Sequence, residues 1–299
     1  MNGITLKTPA KINWFLEVTG KRPDCYHELS TVFQAVGLYD ALTIEKTGEE
    51  GILLEEEAGS ISVPLDETNL MFRAAALLFS AFELSGGLVI RFKKEIPVGA
   101  GLGGGSSDAA AVLYGINLLY GLELSKAELR SFAVELGADV PFFLEGGTCF
   151  ASGIGEELTP LPGEKTVALV IVKPEAYAST KEIFGSYDRG TKRQVRSSDP
   201  VTELFYGEAE GFEKRLSGVL FNALEPVTER FVPAIAAIRA LLLENGACGT
   251  LMSGSGSAVY GIFESRKTAE NALKTVLAEC GPGVSGIVTE TVPDGIRTE

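Results

Sequence analysis

The sequence predicts an α+β fold in two domains, on three observations. The chain has 299 residues, twice the ~150 of a common domain. Apolar residues make up 45%, enough for sizeable cores and against wholesale disorder. Helix-like and strand-like segments alternate without a regular strand–helix–strand rhythm, which favours α+β over a parallel sheet.

The elements follow in chain order. Up to about residue 45, Ile4, Leu6, Leu42 and Ile44 alternate with polar residues as strands do. Gly51 to Glu57 is short and acidic. Leu70, Ala74, Leu77, Leu78 and Phe82 repeat with helical spacing inside Asn69 to Leu84. Gly87 to Phe92 reads as a strand, and Ser106 to Tyr120 as a buried helix. Ser125, with Glu128 three residues on, caps a helix to Leu136. The junction between domains is expected near Leu161 to Lys165, giving domains 1–162 and 163–299. Thr166 to Val172 is an apolar strand. Ser186 to Pro200 carries Arg189, Lys192, Arg193 and Arg196 without apolar periodicity and reads as an exposed loop. Phe231 to Leu243 and Thr268 to Ala278 read as helices. Ala247 to Met252, Ser257 to Phe263 and Gly283 to Val292 read as strands.

Charge and composition exclude several functions. Lys and Arg total 26 against 40 Asp and Glu, a net charge of −14, which opposes non-specific binding to nucleic acid or an anionic membrane. No apolar run approaches the ~20 residues of a membrane helix, and residues 1–10 lack a signal-peptide pattern. Cys25, Cys149, Cys248 and Cys280 are far apart, as expected of reduced thiols in a cytoplasmic protein. No interface signature sets an oligomeric state.

Glycine is the outlier, with 35 of 299 residues against an average of ~7%. The excess is clustered: five lie in Gly99–Gly105, four in Gly146–Gly155 and five in Gly246–Gly261. The first cluster runs Ile96-Pro97-Val98-Gly99-Ala100-Gly101-Leu102-Gly103-Gly104-Gly105-Ser106-Ser107-Asp108 into a helix. Polyphosphate needs several backbone N–H groups converging on one spot, and side chains would block that approach. The helix start adds free N–H groups and the positive end of its dipole. Ser106, Ser107 and Asp108 are expected to cap that helix, and the two hydroxyls to contact phosphate or its metal. A flexible linker is the bland alternative, opposed by Pro97 and the strong helix that follows. Gly99, Gly101 and Gly104 also satisfy G-x-G-x-x-G, the mark of a dinucleotide site. That fingerprint should follow directly on a strand, whereas Lys93 to Val98 intervenes. A Walker A Gly-Lys-Ser/Thr is missing, and the single histidine, His27, precedes Glu28 rather than Arg-Asp.

The form Pro-x-x-x-Gly-Leu-Gly-Gly-Gly-Ser-Ser resembles the phosphate loop of the GHMP small-molecule kinases. Thr8-Pro-Ala-Lys-Ile-Asn13 resembles their N-terminal motif and Leu251-Met-Ser-Gly-Ser-Gly-Ser257 their C-terminal glycine motif. Within that superfamily the resemblance is to members acting on a cytidine-diphosphate-linked methylerythritol. Pro9 to Leu16, Arg22 to Leu29, the Gly-Gly-Gly-Ser-Ser-Asp run and Gly137-Ala-Asp-Val-Pro-Phe-Phe143 carry it. Cys25 stands where that branch usually has glycine, so the turn before Tyr26 is expected to be slightly altered. The resemblance implies an N-terminal domain like domain 2 of ribosomal protein S5 and a ferredoxin-like C-terminal domain. It also implies ATP as phosphoryl donor, Mg2+, and transfer to a 2-hydroxyl. Homoserine or mevalonate kinases, a non-catalytic nucleotide binder and a dehydrogenase are the rival readings.

The resemblance also assigns residues. Lys11, otherwise an ordinary strand lysine, sits beside a catalytic aspartate. Asp139, otherwise a helix cap, is the general base, with Lys11 lowering its pKa and orienting it. Asn13 bonds the substrate or the catalytic pair. Tyr26 and His27 read the cytosine, and Phe184, which also suits an apolar helix face, sandwiches the ring with Thr180 nearby. Asn69 and Leu70 form an adenine pocket, although Asn69 equally suits a helix cap, and Lys94 flanks the nucleotide. Gly254, Ser255 and Gly256 close on substrate phosphates, or form only a hairpin turn. Ser107 is a candidate Mg2+ ligand without an identified second ligand. Gly146 and Gly147 serve packing beneath the site, without chemistry.

Overall fold

The structure is a computed structural model that describes residues 2–162, 165–176, 179–190, 194–208 and 210–299. Gly163 and Glu164, at the expected junction, and Lys192 and Arg193 of the basic segment lie outside the described residues.

The chain opens with two long antiparallel strands, β1 (Gly3–Lys21) and β2 (His27–Thr47), followed by β3 (Gly51–Glu56). Helix α1 (Leu70–Ala81), β4 (Gly87–Lys93) and α2 (Gly104–Tyr120) come next. Then follow α3 (Lys126–Leu136), α4 (Val140–Glu145), β5 (Thr148–Ser152) and β6 (Glu157–Pro160). The second half holds β7 (Ala168–Pro174), α5 (Thr180–Asp188), α6 (Asp199–Tyr206), α7 (Phe212–Ser217) and β8 (Phe221–Asn222). It continues with α8 (Glu225–Phe231), α9 (Ala234–Glu244), β9 (Gly249–Met252) and β10 (Val259–Phe263). Helix α10 (Arg266–Cys280), β11 (Val284–Glu290) and β12 (Arg297–Thr298) complete it.

Among the described residues, eight strands form the first sheet, in the order β12-β1-β2-β4-β3, with β5 on β2, β6 on β5 and β8 on β1. Four antiparallel strands form the second, in the order β11-β7-β10-β9. Its strands, taken in sequence, lie in the order 4-1-3-2, the split arrangement of ferredoxin-like domains. The mixed α+β class is therefore met.

Three cores explain the pattern of apolar residues. Helices α1, α2 and α3 cover the first sheet, burying Leu6, Ile44, Ile90, Ala110, Leu113 and Ile116. A second core joins the two sheets: Ala10, Ile12 and Trp14 of β1 pack with Leu169, Ile171, Tyr260 and Ile262. Helices α9 and α10 cover the far face of the second sheet. Strand β1 is thus covered on both faces, so Thr8 to Leu16 is buried without a break and reads as a continuous run rather than an alternation. The β1–β2 register shifts between Pro9 and Ala10, a bulge that accommodates a proline inside a paired strand.

Three expectations are corrected. The helix expected over Phe231 to Leu243 begins later, as α9 at Ala234, and Phe231 instead ends the separate helix α8, because Val232-Pro233 intervenes and a proline removes an amide and crowds the preceding turn. The segment Ser186 to Pro200 is not loop throughout: its first residues end α5 and its last begin α6. Ser106, Ser107 and Asp108 do not cap α2. Gly103 is its N-cap, in the left-handed conformation, so all three lie within the first helical turns.

Candidate active site

The glycine loop is seated between β1 and the second glycine turn. The Lys11 N–H donates to the Leu102 carbonyl at 2.9 Å, and the Ala258 N–H to the Ala100 carbonyl at 3.0 Å. Ser253 Oγ donates to the Gly101 carbonyl at 2.9 Å. Two glycines are obligatory on steric grounds. At Gly101, φ is +75° and a Cβ would lie 2.1 Å from the Ser253 carbonyl oxygen. At Gly103, φ is +72° and a Cβ would lie 2.6 Å from Phe143 Cζ. The loop then feeds directly into α2, whose first N–H groups and dipole face the cleft.

Lys11 and Asn13 share a face of β1 by strand alternation. Lys11 Nζ donates to Asn13 Oδ1 at 2.9 Å and lies 3.5 Å from Asp139 Oδ2. Asn13 Nδ2 donates to Thr31 Oγ1 at 2.8 Å, and Thr31 donates to the Phe15 carbonyl. The ammonium is therefore fixed from below while the Asp139 side chain, 35% exposed, remains open to the cleft. Asp139 precedes α4 but makes no capping hydrogen bond, so the bland capping role is not what orients it.

These groups line one cavity of about 1190 Å³. The glycine loop from Pro97 to Ser106 forms its floor, including Pro97, Val98, Gly99, Ala100, Gly104 and Gly105. Asn69 and Leu70 also line it; Asn69 caps α1 as well, accepting from the Met71 N–H at 2.8 Å. Tyr26, His27, Thr180 and Phe184 line the same cavity, as do Gly254, Ser255 and Gly256. Thr180 Oγ1 and Ser255 Oγ are hydrogen-bonded at 2.9 Å, joining α5 to the second glycine turn. That turn is indeed the β9–β10 hairpin connection and lines the cavity as well.

Ser107 is the expected site residue that the structure does not bring to the cavity. Its hydroxyl is fully buried, donates to the Pro9 carbonyl at 2.6 Å and pairs with Thr8 Oγ1. It faces the protein interior, toward Pro9 and Thr8, rather than the cavity. Among the described residues no group of three or more His, Cys, Asp or Glu side chains could hold a metal ion.

Phe184 does not wait open for a ring beside His27. The two rings are already stacked, with centroids 4.7 Å apart and planes at 26°. His27 Nε2 and Asp188 Oδ1 are hydrogen-bonded at 2.6 Å, and Asp188 also pairs with Lys21. Burial raises the Asp188 carboxyl, but the bonds from Lys21 and His27 outweigh it and hold it below the usual carboxylate range. Tyr26 is 60% exposed. Cys25 has φ +72°, so the turn keeps a glycine-like conformation without a glycine.

Lys94 carries charges that the sequence reading missed. It is buried between Asp40 of β2 and Asp108 of α2, with Asp108 Oδ2 at 3.0 Å. Asp40 Oδ1 also accepts the Glu95 and Ile96 N–H groups, at 2.5 and 2.8 Å. A Cβ on Gly104 would lie 2.6 Å from Lys94 Nζ, so the ammonium sits directly beneath the loop. Asp108 had a signal: a lone acid just before the run Ala109-Ala110-Ala111-Val112 of a buried helix. Asp40 and Asp188 had none, since their partners are 54 and 161 residues away.

Comparison with known proteins agrees with this geometry. Residues 69–147 match the family "GHMP kinases N terminal domain" and residues 209–282 match "GHMP kinases C terminal". A protein of Acaryochloris marina named 4-diphosphocytidyl-2-C-methyl-D-erythritol kinase is 40% identical, covering 99% of both chains. One of the same name from Caldicellulosiruptor saccharolyticus is 41% identical, covering 89% of this chain and 90% of that one. A crystal structure of 4-(cytidine 5'-diphospho)-2C-methyl-D-erythritol kinase superposes with a TM-score of 0.77 at 33% identity, covering 96% of this chain and 99% of that one. A homoserine kinase from Cytophaga hutchinsonii shares the fold, with a TM-score of 0.78 at 20% identity, covering 100% of this chain and 98% of that one. The chain belongs to the GHMP kinases and, among them, to the 4-diphosphocytidyl-2-C-methyl-D-erythritol kinases.

Proposed function

We propose that this chain transfers the γ-phosphoryl group of ATP to the 2-hydroxyl of 4-diphosphocytidyl-2-C-methyl-D-erythritol, a step of the non-mevalonate (MEP) route to isoprenoid precursors. One observation carries the reading: the glycine loop, the Lys11–Asp139 pair and the Tyr26–His27 segment share a single cavity. Two anionic ligands are accommodated end to end. ATP lies on the glycine loop with its adenine toward Asn69 and Leu70 and Lys94 beneath the phosphates. The cytidine end of the substrate lies at Tyr26, His27, Thr180 and Phe184, and its diphosphate under Gly254, Ser255 and Gly256.

Asp139 accepts the proton of the attacking hydroxyl, and Lys11, held by Asn13, keeps that carboxylate in place and faces the transferring phosphoryl group. Backbone N–H groups of the loop and of α2 stabilise the charge that spreads over the phosphoryl oxygens. Mg2+, expected with ATP as phosphoryl donor, would neutralise charge on the transferring phosphates. We place the two functional units at 1–162 and 163–299 and the protein in the cytoplasm, with small molecules rather than nucleic acid or membrane as its partners. Among the described residues, no helix is long and apolar enough to cross a membrane.

The rival readings fit less well. A homoserine or mevalonate substrate has no base to place at Tyr26 and His27. A non-catalytic binder has no use for a fixed Lys11 beside an open Asp139. Among the described residues, the antiparallel second sheet and the mixed first sheet contain no dinucleotide-binding crossover after the glycine loop. The test is ATP consumption over a panel of alcohols, run with wild type and Asp139→Asn. Turnover is expected only with the cytidine-diphosphate-linked alcohol, falling about 10²–10⁴-fold in the variant. Turnover on mevalonate or homoserine instead would overturn the substrate, and a fully active Asp139→Asn the role of the base.

A further inference from the structure

We propose that Asn222 is a positioning residue for phosphoryl transfer: it turns the carbonyl oxygens of the second glycine turn away from the phosphates. The proposal rests on the reading that Gly254 to Gly256 faces those phosphates. A glycine turn is not inherently suited to an anion. It offers N–H groups and carbonyl oxygens alike, and any carbonyl aimed at the phosphate would repel it. Something must therefore sort the two kinds of group.

Asn222 is placed to do this. It is 3% exposed and does not line the cavity. Its Nδ2 donates to the carbonyls of both Met252 and Gly254, each at 2.8 Å, and its Oδ1 accepts the Leu224 N–H at 2.9 Å. Both amide hydrogens are thereby spent on carbonyls of the turn. The neighbouring helix α8 adds contacts to the same segment: the single Thr228 hydroxyl hydrogen is shared between the Ser255 and Leu224 carbonyls, each 3.2 Å away, and Glu225 Oε2 accepts the Met252 N–H at 2.7 Å. The carbonyls of Met252 and Gly254 are thus both tied to β8, by one side chain that does not itself line the cavity.

The same residue ties the turn to the catalytic strand. Strand β8 pairs in parallel with β1 at Phe15 and Leu16, and the Ala223 N–H donates to the Leu16 carbonyl at 2.8 Å. Lys11 lies on that strand, and a Cβ on Gly254 would lie 3.3 Å from Lys11 Nζ and 3.2 Å from the Gly101 carbonyl oxygen. A rotation of the Gly254 peptide would therefore disturb the first glycine loop and the catalytic lysine together.

Two substitutions separate donation from shape. Asn222→Asp keeps the outline but, ionised, donates nothing and sets an anion against two carbonyl oxygens. Asn222→Ala removes the donors without adding repulsion. If donation matters, the aspartate is the worse variant; if only shape matters, the alanine is. We expect kcat to fall about tenfold to a hundredfold in Asn222→Ala and further in Asn222→Asp, with KM for both substrates moving less than kcat. Thermal melting of each variant is measured alongside, and rates are taken on folded protein. Wild-type kcat in Asn222→Ala, or an Asp variant at least as active as the Ala variant, would overturn the proposal. If the aspartate variant does not fold, the alanine variant alone decides by the same kcat and KM criterion. An inactive wild type would overturn both this and the functional reading, whereas active wild type with unimpaired variants overturns only this.

Discussion

Asp108 shows how one side chain links the phosphate site to the stability of the chain. It is buried in α2 against Lys94 and Asp40, and its Oδ1 has no hydrogen-bond partner. Burial pushes its carboxyl up to about 8; Lys94 pulls it down and Asp40 pushes it further up. Asp40 accepts hydrogen bonds from two backbone N–H groups and from the lysine. Burial lowers the Lys94 ammonium, but its interactions with Asp108 and Asp40 outweigh that and raise it above the usual lysine value. The sign of the pH effect follows from the raised value. From about pH 4 to about pH 8 the folded state binds a proton at Asp108 that the unfolded state has released, so stability from this group is lost as pH rises through about 8. Asp108→Asn is neutral at every pH and similar in shape. It should flatten the decline in urea-unfolding free energy between pH 5 and 8.5, and a slope identical to wild type would show that Asp108 does not hold that proton.

Two glycines of one loop differ sharply in what a methyl group would do. A Cβ at Gly101 meets the Ser253 carbonyl oxygen at 2.1 Å in left-handed backbone, whereas a Cβ at Gly105, inside α2, meets only Leu70 Cδ1 at 3.8 Å. Gly101→Ala should push the two glycine turns apart, lowering the melting temperature and raising KM for ATP, while Gly105→Ala should melt at or above the wild type because alanine favours the helix by about 0.5–1 kcal/mol. Equal melting temperatures would show that the two turns are not braced at Gly101. Sequence could not separate these two positions, since both sit in the same run; it identifies the loop, not which glycine touches what. The same division holds elsewhere. Local signals were legible: the Ser125–Glu128 capping box forms as read, and Lys11 and Asn13 share a face by alternation alone. Features set by distant partners were not: the stacking of His27 on Phe184, the inward turn of Ser107 to Pro9, and the pairing of Asp40 with Lys94. The α8–α9 break was present as Pro233 but outweighed by the apolar run around it. Gly146, expected to serve packing, does so against the end of the chain: a Cβ there would lie 2.0 Å from the Gly295 N atom.

At the scale of the whole molecule, the two sheets share a core and should unfold together. Strand β1 supplies Ala10, Ile12, Trp14 and Phe15 to a cluster whose other side is Leu169, Ile171, Leu251, Tyr260 and Ile262 of the second sheet. The chain also returns late in its course to complete the first sheet, through β8 and β12 on β1. Exposing either half alone would uncover this apolar contact, at about 25 cal/mol per Å², so neither half has a complete core without the other. The chain carries a single tryptophan; Trp14 is fully buried and packs edge-on against Tyr260 with centroids 5.4 Å apart. Its fluorescence therefore reports the junction itself, while far-UV circular dichroism reports the secondary structure of both halves. We expect the two signals to coincide in one thermal transition. On the proposed placement ATP contacts the glycine loop of the first half, yet if the halves unfold together it should shift both signals equally, by about 2.7 kcal/mol of added stability at a hundredfold excess over Kd. A tryptophan transition that precedes the circular-dichroism transition, or an ATP shift confined to one signal, would show that the halves separate before they unfold.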